Sequence, residues 1–82
     1  MVIVRLDKLF EKKFNKIKDN SQKEQVKKII RKVIENPETG KPMRYGRKGT
    51  REIYMKPFRL SYAYIKNENR IILLDLYHKG KQ

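Results

Sequence analysis

The stretch Phe58-Arg59-Leu60-Ser61-Tyr62-Ala63-Tyr64-Ile65 decides the fold. Its side chains alternate, with Leu60, Tyr62 and Tyr64 on one side and Arg59, Ser61 and Ala63 on the other. A period of two belongs to a strand with one covered face. Ile71 to Tyr77 repeats the pattern, setting Ile72, Leu74 and Leu76 against Asp75, Tyr77 and, beyond them, Lys79. A three-residue loop, Asn67-Glu68-Asn69, would place Arg59 across from Tyr77 and Ser61 across from Asp75. That register gathers every apolar member on one side, and a slip of one residue would flip them all. Upstream, Glu52 to Lys56 reads as a third strand, joined by a tight turn at Lys56-Pro57. If Met55 pairs with Phe58, then Glu52 and Tyr54 join Arg59. The expectation is one open sheet face bearing Glu52, Tyr54, Arg59, Ser61, Asp75, Tyr77 and Lys79.

Something must cover the other face, and the first half of the chain supplies it. Val2 to Leu6 alternates as a short strand. Asp7 caps a helix reaching about Lys18, with Leu9, Phe10, Phe14 and Ile17 apolar. Ser21-Gln22-Lys23-Glu24 fits a capping box. Val26, Ile29, Ile30, Val33 and Ile34 then form an amphipathic stripe. Asn36-Pro37 ends that helix, because a residue before proline avoids the helical region. Residues 37–50 are turn-rich and basic, with Met43 and Tyr45 as anchors for a further short strand. The predicted fold class is α+β. A short N-terminal strand and two antiparallel helices pack on one face of a small, largely antiparallel sheet, in the order β-α-α-β-β-β(-β). The 82 residues support a single domain, 1–82.

Charge narrows the function. Lys and Arg number 22 against 9 Asp and Glu, a net +13 on a very small domain. Self-repulsion at that density destabilises the compact state, and a polyanion offsets it. The expected partners are nucleic acid, an acidic protein, or both. Five of the seven arginines, Arg44, Arg47, Arg51, Arg59 and Arg70, fall in the second half. The arginine fork suits phosphate, so the anion site is expected there. The absence of cysteine excludes disulfides, thiolate zinc sites and a cysteine nucleophile. One histidine and scattered acids argue against a metal, and no cofactor is expected. No apolar run is long enough to cross a membrane, and the start lacks a signal-peptide pattern, so the expected compartment is the cytoplasm.

The helix ending at Asn36-Pro37, the Gly40-Lys41-Pro42-Met43 turn, Phe58-Arg59-Leu60-Ser61-Tyr62 and the closing Leu76-Tyr77-His78-Lys79 resemble, in order, the RelE/ParE toxin family. These are the small basic partners of toxin–antitoxin pairs. The resemblance covers nearly the whole chain. It implies an acidic, RelB-like antitoxin that wraps the toxin. For the RelE branch it implies metal-independent cleavage of mRNA in the ribosomal A site, with the 16S and 23S rRNA as surroundings. Arg59 matches the family arginine that contacts the scissile phosphate, and Lys79 falls where many members have arginine. Glu52 and Tyr54 stand where the best-known RelE branch has two lysines. His78 matches the acid of the YoeB-like branch, whose glutamate would align near Lys41.

Metal-free RNA cleavage needs a base for the 2′-OH, cations for the phosphorane, and an acid for the leaving 5′-oxygen. The catalytic candidates are Arg59, Lys79 and His78. Arg59 either grips phosphate or pairs with Asp75 or Glu52. Lys79 is a second cation or a tail charge, and His78 an acid or a solvent-facing histidine at a strand end, although alternation sets it toward the helix side unless the strand ends or bulges there. Arg44, Arg47, Lys48 and Arg51 form a phosphate-tracking patch, or a solvated loop. Tyr54 and Tyr77 are candidates to stack a base or bind phosphate. Glu52 is a base or an ion-pair partner. Three functions stay open: a ribosome-dependent endoribonuclease toxin, a ParE-like inhibitor of DNA gyrase, and a non-catalytic RNA-binding module.

Overall fold

The computed structural model describes residues 2–42 and 49–78. A carboxylate starts each helix. Asp7 accepts a hydrogen bond from the Leu9 N–H at 3.1 Å and opens α1 (Lys8–Asn15). Asp19 accepts from Ser21 and Gln22 N–H at 2.8 and 3.4 Å and opens α2 (Asn20–Glu35). The capping box expected at Ser21 therefore gives way to Asp19, since a charged acceptor binds the exposed N–H groups more strongly than a hydroxyl. Glu24 instead pairs with Lys27 at 3.2 Å. The first helix also stops short, with Lys16 as its last cap rather than Lys18.

Both helices lie on one face of a five-stranded sheet built by the described residues. Its strands are β1 (Ile3–Leu6), β2 (Lys41–Pro42), β3 (Thr50–Met55), β4 (Phe58–Ile65) and β5 (Arg70–His78). The order is β1-β5-β4-β3-β2; only β1 with β5 is parallel. Phe10, Val26, Ile29 and Val33 from the helices meet Phe58, Leu60, Tyr62, Ile71, Leu73 and Leu76 from the sheet. Full burial of such a side chain contributes roughly 1.5–3 kcal/mol, so these ten residues hold the layers together. No helix among the described residues is long and apolar enough to cross a membrane.

The β4–β5 hairpin departs from the expected register at one end only. Arg59 pairs with Tyr77, Leu60 with Leu76 and Ser61 with Asp75, as the alternation predicts. Beyond Ser61 the pairing shifts, so that Tyr62 faces Leu73 and Ile65 faces Arg70. Leu74 is the extra residue of a bulge. The loop has four residues rather than three, with a 3₁₀ turn at Lys66–Glu68 and Asn69 in the left-handed region at φ 51°. As a result Ile71 and Leu73 enter the core, not Ile72 and Leu74. On the other side, Met55 pairs with Phe58 and Tyr54 with Arg59, across a turn whose Lys56–Pro57 peptide is cis.

A polar staple ties the end of α2 to the sheet. The Tyr62 hydroxyl donates to the Pro37 carbonyl at 2.7 Å and accepts from the Gly40 N–H at 2.9 Å. Arg51 donates to the carbonyls of Gly40 and Glu38 at 2.8 and 3.1 Å. A side chain at position 40 would bring its Cβ within 2.7 Å of the Tyr62 oxygen, so glycine is required by close approach. Burial raises the Tyr62 pKa, against the lowering effect of the Gly40 N–H and the Arg51 charge, and the hydroxyl keeps its proton to donate.

Candidate active site on the open sheet face

Paired residues of an antiparallel ladder share a face. The register therefore sets Tyr54, Arg59 and Tyr77 on one rung, across β3, β4 and β5, on the side away from the helices. The next rung reads Glu52, Ser61, Asp75, and Lys41 of β2 stands beside Glu52. Arg59 is partly open to solvent, with 37% of its side chain exposed. Its Nε lies 3.5 Å from Glu52 Oε1, and its guanidinium carbon 6.0 Å from the Tyr54 ring centre. Tyr54 and Tyr77 are both exposed.

Two acids flank the arginine, yet only one holds it. Lys13 reaches from α1 to Asp75 at 2.7 Å, and its ammonium also lies 4.8 Å from the centre of the Tyr77 ring. Burial favours the protonated form of Asp75, but hydrogen bonds from Lys13, Tyr77 and the Leu76 N–H outweigh it. They hold its carboxyl below the usual carboxylate range. Asp75 is thus occupied, and Glu52 takes Arg59. Thr39, Lys41, Glu52, Tyr54 and Arg59 line a cleft of about 380 Å³ on this face.

The remaining candidates lie elsewhere. His78 points to the helix side, where its ring meets Phe58 edge-on at 5.1 Å. It lines a separate cleft with Lys13, Lys16 and Ile17. Arg51 belongs to the staple, with its guanidinium on backbone carbonyls rather than in the Arg59 cleft. Arg44, Arg47, Lys48 and Lys79 lie outside the described residues, as do Met43 and Tyr45. Among the described residues no group of three or more His, Asp or Glu side chains could hold a metal ion. The arrangement offers an anion a cation held at its Nε by a carboxylate, with an aromatic ring on each flank.

The sequence matches the family model of the ParE toxin of type II toxin–antitoxin systems over residues 4–82. The chain belongs to the RelE/ParE toxin family. This toxin also resembles solved structures. A chain of the intact RelBE toxin–antitoxin complex of E. coli is 20% identical with a TM-score of 0.80, and the match covers 100% of both chains. A RelBE complex from Mycobacterium tuberculosis gives 20% identity and a TM-score of 0.80, over 94% of this chain and 96% of that one. The archaeal RelE–RelB complex of Pyrococcus horikoshii gives 15% and 0.74, over 99% and 98%. At such identities the likeness is one of fold. No curated protein matches the sequence.

Lys41 is the charged residue of the toxin's cleft that sequence reasoning did not place in the site. Its strand is two residues long, too short for alternation to show. Its position after Gly40 was the available signal, since a glycine held against a sheet tyrosine fixes where the next residues pair. The Lys13–Asp75 pair was equally hidden, because no local pattern links a helix lysine to a distant strand.

Proposed function

We propose that this toxin is an endoribonuclease that cleaves mRNA on the ribosome, in the A site and against 16S and 23S rRNA, and that an acidic antitoxin silences it. The observation that carries the reading is Arg59 on the uncovered face, 3.5 Å from Glu52 and ranked between Tyr54 and Tyr77. Glu52 takes the proton of a ribose 2′-OH, and the 2′-oxygen attacks the adjacent phosphorus. Arg59 turns its fork to the non-bridging oxygens, where charge develops. The P–O5′ bond breaks, and the leaving oxygen takes a proton from solvent on this open face. The products are a 2′,3′-cyclic phosphate and a 5′-hydroxyl. Tyr54 and Tyr77 stack the neighbouring bases. Lys79, next to His78 in sequence, adds a second cation. The ribosome supplies much of the substrate's orientation, so a sparse site suffices.

Programmed ribosomes with end-labelled mRNA test this. Wild type yields cyclic-phosphate ends, Arg59→Ala loses them, Glu52→Gln falls at least tenfold, and His78→Gln stays within about threefold. Absence of cleavage by the wild type removes the proposal. A second reading, inhibition of DNA gyrase, is favoured by the ParE name of the matching family model. It needs no acid or base, so inhibition of supercoiling that survives Arg59→Ala selects it. An adjacent reading frame for an acidic protein with an amphipathic helix supports the antitoxin in either case.

A further inference from the structure

Lys41, Glu52 and Arg59 stand in a row across three strands. Lys41 is the direct partner of Glu52 in the β2–β3 ladder, and the Arg59 Nε lies 3.5 Å from Glu52 on the far side. At one strand spacing per step, the backbones of β2 and β4 are roughly 10 Å apart. The row therefore reads cation, anion, cation on an open face, within one cleft of about 380 Å³. The Glu52 carboxylate is held by Arg59, and among the described residues Lys41 makes no ion pair. Lys41 is exposed on the edge strand of the sheet, open to a ligand.

RNA has the complementary covalent order: phosphate, ribose with its 2′-OH, phosphate. We infer that Lys41 binds the phosphate on the 5′ side of the cleaved nucleotide. The ribose then lies over Glu52 and the scissile phosphate at Arg59. This rests on the ribonuclease reading above, and it adds a polarity: the strand runs 5′ to 3′ from β2 toward β4. The alternative direction puts the scissile phosphate at Lys41 and leaves Arg59 with the phosphate beyond. A phosphate contact of this kind positions the chain without reading its bases.

A short synthetic mRNA on programmed ribosomes tests the assignment, once wild-type products have mapped the cut. A neutral methylphosphonate replaces the phosphate 5′ of the cleaved nucleotide. For wild type the KM rises about tenfold, the equivalent of one charge-assisted contact, with kcat nearly unchanged. Lys41→Ala shows the same rise on unmodified mRNA and no further rise on the modified one, while Lys41→Arg restores the wild-type response. An equal penalty in wild type and Lys41→Ala overturns the assignment. A separate arm keeps it apart from the nuclease reading. Binding of a mixed-sequence 2′-O-methyl RNA is followed by fluorescence anisotropy against salt. Loss of one phosphate contact lowers the log–log slope by about 0.7 in Lys41→Ala. An unchanged slope overturns the contact. If wild type cuts nothing while the slope still falls, the nuclease reading fails and the phosphate contact at Lys41 stands.

Discussion

Arg51 and Arg59 sit on neighbouring strands, each in a stretch that reads as basic and strand-forming, yet they have opposite surroundings. The Arg51 guanidinium is spent on the carbonyls of Glu38 and Gly40, beside the Tyr62 hydroxyl, on the side of the sheet that the helices cover. The Arg59 guanidinium lies on the uncovered side, with a carboxylate at its Nε and a ring below it. One arginine donates to backbone carbonyls just past the end of α2. The other has fork nitrogens to offer a ligand. Composition cannot separate the two; the parity of each position within its strand can. A charge count that predicts a nucleic-acid surface is therefore an upper bound, because some of the cations are structural.

The largest expected effect comes from removing the two guanidinium groups in turn. Arg59→Ala lowers ribosome-dependent cleavage by about 10²–10³, the scale for losing a preorganised charge stabiliser. Its unfolding free energy stays within about 1 kcal/mol of wild type, since a single, partly exposed pair adds little. Arg51→Ala does the reverse. It costs about 1–2 kcal/mol in urea unfolding by leaving two carbonyls short of a charged donor, and cleavage per folded molecule holds. If both variants lose activity and stability together, the separation of faces is wrong.

How much of this was legible follows from the same parity argument. The Arg59–Tyr77 and Ser61–Asp75 pairs were readable because an odd slip would separate Leu60 from Leu76, and the short loop chose among the registers that keep them together on the covered side. The turn end was not. Ile71-Ile72-Leu73-Leu74 is apolar at every position, so alternation has nothing to choose between, and loop geometry decides. A four-residue loop with Asn69 at positive φ shifts the pairing by one, and the bulge at Leu74 shifts it back before the site is reached. The two errors cancel at Asp75. In the site, Arg59, Tyr54 and Tyr77 were visible as one face of regular strands. The partners that settle its electrostatics, Lys41 and Lys13, come from a two-residue strand and from a helix, where no short period reports on the sheet.

Gly40→Ala sharpens the comparison on the structural side. The new Cβ would stand 2.7 Å from the Tyr62 oxygen and 3.0 Å from the Glu52 carbonyl, a buried tyrosine and a strand backbone that cannot both retreat. Overpacking of this kind costs about 1–3 kcal/mol. Tyr62→Phe, which keeps the ring and removes both hydrogen bonds of the hydroxyl, costs a similar amount. Thermal or urea unfolding measures both. Because the Glu52 carbonyl is one of the crowded atoms, Gly40→Ala also disturbs the β2–β3 rung, and cleavage falls with it; Tyr62→Phe spares the rung and cleavage per folded molecule.

The smallest effect is expected at Asp75, which lies on the same face as Arg59 but is bound to α1. Its folded-state pKa is lowered, because hydrogen bonds from Lys13, Tyr77 and the Leu76 N–H more than offset its burial. The folded state then binds fewer protons than the unfolded one in the acid range, so stability from this group is present above the ordinary aspartate pKa of about 3.9. It is lost as pH falls through the lower folded value. Asp75→Asn removes that term. The gap in melting temperature between variant and wild type is widest near neutral pH and closes on acidification. A gap that stays constant from neutral to acid pH assigns the loss to packing, not to charge. The variant also releases Lys13 from the carboxylate without placing a new anion near Arg59. Cleavage therefore stays within about threefold, since Glu52, not Asp75, is the acid that Arg59 holds.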